Sequence, residues 1–156
     1  MISALLSDGI APLCCTRSTT TTCLFDAADR HGRAIYHTNV LLSLGTRLAV
    51  ICSEALAPDD RECVLRVIES GGRTIVDVNF AQMERFACNI IELASAGGDP
   101  VLAMSSSAHD AFTPDQRRQL ETLGGNLVEA DIPTIERVGG GSVRCMIADV
   151  HLPAAT

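Results

Sequence analysis

NVLLSLGTRLAVIC (residues 39–52) followed by PDDRECVLRVIESGGRTIVDV (residues 58–78) is the stretch whose reading decides the fold. Apolar residues dominate 39–45 and 48–52 on either side of a turn at Gly45, as in two short strands. The pattern then changes period: Cys63, Val64, Val67 and Ile68 fall on one helical face, and a β-rich run returns at Thr74–Val78. Pro58 stands where a first helical turn tolerates proline, and Gly71 with Gly72 supplies the stop. The order is strand, strand, helix, strand.

The same order recurs downstream. NIIEL (89–93), a turn at GGDP (97–100), VLAM (101–104), a helix and NLVEA (126–130) repeat it. Thr113 is the predicted N-cap of that helix, Pro114 its first residue and Gln116 the partner in a capping box; Gly124 and Gly125 end it. Two ββαβ units about fifty residues apart read as a repeat, and such units bury their faces against neighbours in propellers or arrays of about three or more. Two units and a last predicted strand, Val143–Val150, give an α/β chain that is part of such an array, with a two-layer α+β sandwich as the alternative. Residues 1–24 lack useful periodicity and read as poorly ordered or as a single edge strand.

Composition narrows the function classes. The chain has 156 residues, 47% of them hydrophobic, which suits one domain with a sizeable core. Its net charge of −7 and scattered arginines argue against a nucleic-acid or anionic-membrane surface. All 12 basic residues are arginine, so neither a Schiff-base lysine nor a P-loop can be written. Seven cysteines at irregular spacing suit reduced thiols and a cytoplasmic setting. No apolar run reaches the roughly eighteen residues that span a bilayer. MISALLSDGIAPLCC has no basic n-region and is interrupted by Asp8, unlike a signal peptide.

GGGSVRCM (139–146) concentrates the chemistry. Its glycines do not open a helix after a strand, which removes a nucleotide loop. They permit close backbone approach, or positive φ, just before Cys145. Arg144 would favour the reactive thiolate of Cys145 if the two lie close. On a strand, Val143, Cys145, Ile147 and Asp149 would share one face. Free cysteines are mostly small buried hydrophobes, and Cys52, Cys63 and Cys88 fit that description. A nucleophilic cysteine needs a proton-transfer partner, and His37, at the entry to the first repeat, stands at a strand end suited to a site. His31 and His109 lie in polar turn contexts. His151 would share a strand face with Cys145 at roughly 20 Å, too far for a pair. No metal-ligand spacing occurs, so no metal and no cofactor are expected.

YHTNV (36–40), FACN (86–89), the IPTIE beginning at Ile132, GGGSVRCM and the HLP beginning at His151 together resemble the guanidino-group-modifying superfamily of arginine deiminases, dimethylargininases and amidinotransferases. The match is best to its citrulline-utilisation hydrolase branch. The resemblance runs over 25–156, the C-terminal part of an amidinotransferase-like domain, and covers about half of a full-length member; residues 1–24 stand outside it. It implies a pentein-like α/β propeller of five ββαβ-type blades, of which this chain would hold two and a closing strand. It implies Cys145 as nucleophile, His37 as general acid/base, and Asn39, Gly140, Gly141 and Arg144 at a small guanidino or ureido substrate. Asn39 stands where deiminases carry a carboxylate, and an amide suits a neutral ureido group at least as well as a cation. The expected activity is C–N hydrolysis of an arginine- or citrulline-like molecule, impaired by truncation, with amidino transfer or a non-catalytic propeller fragment as alternatives. Open sheet edges would favour homo-oligomers.

Overall fold

Leu48–Ile51 is wholly buried, as a strand covered on both faces requires, and the first sheet is built around it. The computed structural model describes residues 2–6 and 21–148. Strands β1 (Ile2–Leu6) and β2 (Thr21–Phe25) pair antiparallel, with Ile2 opposite Phe25. Helix α1 (Thr38–Leu41) leads into β3 (Leu42–Leu44), which pairs antiparallel with β4 (Leu48–Ile51). Helix α2 (Pro58–Ser70) then crosses to β5 (Thr74–Asp77), which joins β4 in parallel with Leu48 opposite Thr74. The sheet order is β3-β4-β5.

After α3 (Phe80–Met83) the second unit repeats this topology. Strands β6 (Ile91–Ala94) and β7 (Pro100–Ser105) pair antiparallel. Helices α4 (Ser106–Ala111) and α5 (Pro114–Gly124) follow, and β8 (Asn126–Ala130) returns parallel to β7. Thr113 caps α5 as its sequence predicts: its hydroxyl accepts the Gln116 N–H at 3.2 Å, and the Gln116 side chain accepts the Thr113 N–H at 2.9 Å. Gln116 also donates to the Asp77 carbonyl at 2.8 Å, tying this helix start to the end of β5. At the other end Gly124 is required by close packing. A Cβ there would stand 2.5 Å from Leu102 Cδ1 and 2.7 Å from Leu48 Cδ2, so α5 lies against both sheets at once.

One continuous core joins the two units, with Leu48, Ile51, Val64 and Ile68 from the first and Ile90, Leu102, Met104 and Leu120 from the second. Polar bonds close the seam: the Ser43 hydroxyl donates to the Ile90 carbonyl at 2.7 Å, and Glu92 accepts from the Thr46 hydroxyl at 2.5 Å.

Several elements differ from their sequence reading. Residues 38–41 form a helical turn, so the first strand begins only at Leu42. Cys63 is exposed, because the buried line of α2 runs through Val64 and Ile68 and position 63 turns away from it. The closing strand expected over Val143–Val150 is a 3₁₀ turn at Val143–Met146, so Val143, Cys145 and Ile147 do not share a strand face. Apolar residues at 143, 145, 146 and 147 do not alternate, and the turn is closed locally by the Cys145 N–H on the Ser142 carbonyl at 2.9 Å. Asp149, Val150 and His151 lie outside the described residues, as do Cys14 and Cys15. Beside the two-stranded β1-β2 sheet, the sheets of the two units are three-stranded and open; no closed ring of strands occurs among the described residues.

Candidate active site

The glycine triplet does two different jobs. Helix α6 (Pro133–Gly139) ends in Gly139, and Gly140 follows with φ 68°, the left-handed cap that its missing Cβ allows. The Gly140 N–H closes the helix on the Glu136 carbonyl at 3.2 Å. Gly141 then passes close to Cys145: a Cβ on it would lie 3.1 Å from Sγ. The loop is therefore a helix stop followed by a close approach.

Ser142 anchors what comes next. Its hydroxyl, fully buried, donates to Glu136 Oε1 at 2.7 Å. Burial works to raise the Glu136 carboxyl, but hydrogen bonds from Ser105, Ser142 and Ser107, with the Arg85 charge, outweigh it and hold the group below its ordinary range. A carboxyl lowered on folding contributes stability that is complete above the unfolded value and lost as the pH falls through the folded one. Glu136→Gln should therefore cost about 1–3 kcal/mol near neutrality. The deficit should shrink in urea melts carried out well below the ordinary carboxylate range, where the parent carboxyl is itself protonated. An equal deficit at both pH values would show that charge plays no part.

Three separated segments meet at the Cys145 sulfur. Cys145, in the 3₁₀ turn, is exposed to a cavity of about 520 Å³ that is also lined by His37, Asn39, Phe86, Asn89, Gly140 and Gly141. Asn39 Nδ2 donates to Sγ at 3.5 Å and Asn89 Nδ2 at 3.2 Å. His37, exposed at the N-terminus of α1 with its backbone extended, makes no capping bond through its side chain and lines the cavity. Its ring lies 4.9 Å from that of Tyr36. The cavity's carboxylates are already engaged, Asp29 by Arg33 at 2.7 Å and Glu84 by Arg30 at 2.6 Å.

Arg144 is placed differently from the other expected site residues. Its Nη1 donates to Ser43 Oγ at 3.4 Å and to the Ile90 carbonyl at 3.3 Å, and it is not among the residues lining the cavity. It pins the turn to the seam between the sheets. His109 sits elsewhere, with Nδ1 3.4 Å from Glu129.

The other thiols have different surroundings. Burial pushes Cys52 up to about 11 and Cys88 well above its ordinary value. Burial, with the neighbouring Cys63, also raises Cys23. These three are held neutral at physiological pH, as packing residues. Among the described residues no group of three or more His, Cys, Asp or Glu could hold a metal ion, and no helix is long and apolar enough to cross a membrane.

Asn89 is the site residue that composition and spacing do not single out. Its one local signal is an asparagine between Cys88 and Ile90 in an otherwise apolar run, since a buried amide must find partners. Phe86, at φ 65°, gives no signal at all: nothing in a phenylalanine announces left-handed backbone.

The comparisons with known proteins bear on the fold and the family. The apo structure of ArgZ, an arginine dihydrolase from the ornithine–ammonia cycle in cyanobacteria, matches with a TM-score of 0.60 at 19% identity, over 85% of this chain and 19% of that one. The product-bound N-terminal domain of ArgZ matches at 0.58 and 16% identity, over 78% of this chain and 39% of that domain. The ternary complex of AgrE with ornithine and NAD+ matches at 0.59 and 17%, over 85% and 17%. This chain thus spans well under half of each of these structures, and the likeness is one of fold. No curated protein matches it. The family model for N,N-dimethylarginine dimethylhydrolase, eukaryotic, covers residues 12–152, and by that match, with two ββαβ units delivering a cysteine, a histidine and a glycine loop to one cavity, the chain belongs to this family of the guanidino-modifying superfamily.

Proposed function

We propose that this chain carries the nucleophile-bearing part of a C–N hydrolase acting on the guanidino or ureido group of an arginine- or citrulline-like small molecule. The observation that carries the reading is the Cys145 sulfur, held by two side-chain amides in a cavity that His37 also lines. Sγ attacks the planar carbon and an S–C bond forms. One C–N bond breaks, and His37 protonates the departing nitrogen. His37 then takes a proton from water, which attacks the same carbon and releases Sγ. Gly140 and Gly141 let a flat group lie close to the sulfur, since a side chain on Gly141 would crowd it.

The amides around the sulfur favour a neutral ureido group. Asn39 and Asn89 carry no charge, and Asp29 and Glu84 are paired with arginines, so among the described residues no unpaired carboxylate lines the cavity to clamp a guanidinium. The two ββαβ units are proposed to be two blades of a five-bladed α/β propeller, within residues 25–156. The repeated topology and the likeness to ArgZ support this.

The test supplies citrulline, arginine and N-methylated arginines, measuring ammonia or methylamine release together with acid-quenched mass spectrometry of Cys145. A covalent adduct on Cys145 and faster release from citrulline than from arginine is the expected result. No adduct and no release from any of the three would refute the hydrolase reading.

A further inference from the structure

Asn89 is only 4% exposed, yet packing does not explain it. Its Nδ2 donates to Cys145 Sγ at 3.2 Å and to the Asn39 carbonyl at 3.3 Å. A carbonyl can only accept, so the amide face turned to Asn39 must be the NH₂, which makes Oδ1 the atom left buried without a partner. A buried amide with an orphan oxygen is less favourable than an apolar side chain of the same size. The backbone leading to it is also unfavourable: Phe86 is held at φ 65°, and the Asn89 N–H closes that turn on the Phe86 carbonyl at 2.8 Å. Strain of this kind persists where the surroundings over-determine it. Both penalties converge on presenting one N–H to the sulfur while the other holds the Asn39 carbonyl.

We propose that Asn89 is the positioning residue for the Cys145 nucleophile. Its amide fixes the sulfur against the Asn39 segment, joining three stretches distant in sequence. An N–H donor is also a partner compatible with the thiolate through which a cysteine attacks. The proposal rests on Cys145 being the nucleophile assigned above, but it does not depend on which substrate is turned over.

Iodoacetamide alkylation followed residue by residue tests it, because Cys63 is exposed, lies outside the cavity and serves as a control in the same molecule. In Asn89→Leu, alkylation of Cys145 should slow about tenfold or more, the effect of losing a hydrogen bond to a charged group, while Cys63 is unchanged. Asn89→Asp, which puts acceptors where the donors stood, should slow it further. A Cys145 rate unchanged in both variants, with only the melting temperature lowered, would overturn the proposal. Should the variants also expose Cys52 and Cys88 to reagent, and so be unfolded, the parent decides: the side-chain amide resonance of Asn89 should shift when Cys145 is alkylated, and an unmoved resonance overturns the proposal. Alkylation involves no substrate, so a protein that fails to hydrolyse citrulline or arginine while showing these rates would refute the hydrolase reading alone.

Discussion

Cys145→Ala is expected to abolish turnover of citrulline- or arginine-like substrates, with a loss on the order of 10⁶-fold in kcat, as for removal of a nucleophile that acts as a unit with its base. The loss should not come from unfolding. Cys145 is exposed, its neighbours approach it through side-chain amides and glycine backbone, and Asn89 keeps its bond to the Asn39 carbonyl when the sulfur is gone. The melting temperature should therefore move modestly, since the two amide hydrogen bonds lost with Sγ each contribute on the order of 1 kcal/mol. The covalent adduct seen on acid quenching should vanish with the activity. Turnover retained in this variant would remove Cys145 from the role and leave no other cysteine among the described residues that line the cavity.

His37→Gln should lower kcat by about 10²–10⁴-fold, the range for losing a positioned proton-transfer group. The histidine ring makes no capping bond, so the α1 terminus does not need it, and glutamine keeps comparable bulk at the cavity mouth. KM should change little, because the residue is assigned proton transfer and not binding. The expected failure is divided: formation of the adduct slows because the departing nitrogen is not protonated, and its decay slows because water is not activated. A large rise in KM with kcat intact would place His37 in substrate binding instead. The same comparison separates it from Asn89, whose loss is read directly in the alkylation rate of Cys145.

Local signals in the sequence reached far into the fold. Pro58 and the Gly71–Gly72 pair mark the ends of α2, and Thr113 with Gln116 starts α5 through bonds that involve only neighbouring residues. Such features are legible because the partners are close along the chain. The 3₁₀ turn at Val143–Met146 was not legible: its residues are those of a strand, and no strand among the described residues pairs with them. Residues 38–41 failed for the same reason, since Val40, Leu41 and Leu42 fit a strand or a helical turn equally well. Cys63 satisfied the helical spacing but missed the buried face by one position, because periodicity fixes a stripe to within a residue and packing chooses its centre.

At the site, the sequence alone determined the kinds of group available: a cysteine after permissive backbone, a histidine at an element end, an asparagine two residues beyond it, and a repeated unit to carry them. Tertiary structure decided which of them meet. It brought Asn89 to the sulfur, turned Arg144 away to Ser43 and the Ile90 carbonyl, and set Gly141 against Cys145 while Gly140 ended a helix. The reason is physical. Capping and periodicity are settled by residues a few positions apart, whereas the partners of Sγ lie 56 and 106 residues away and are chosen only when the two units pack against one core.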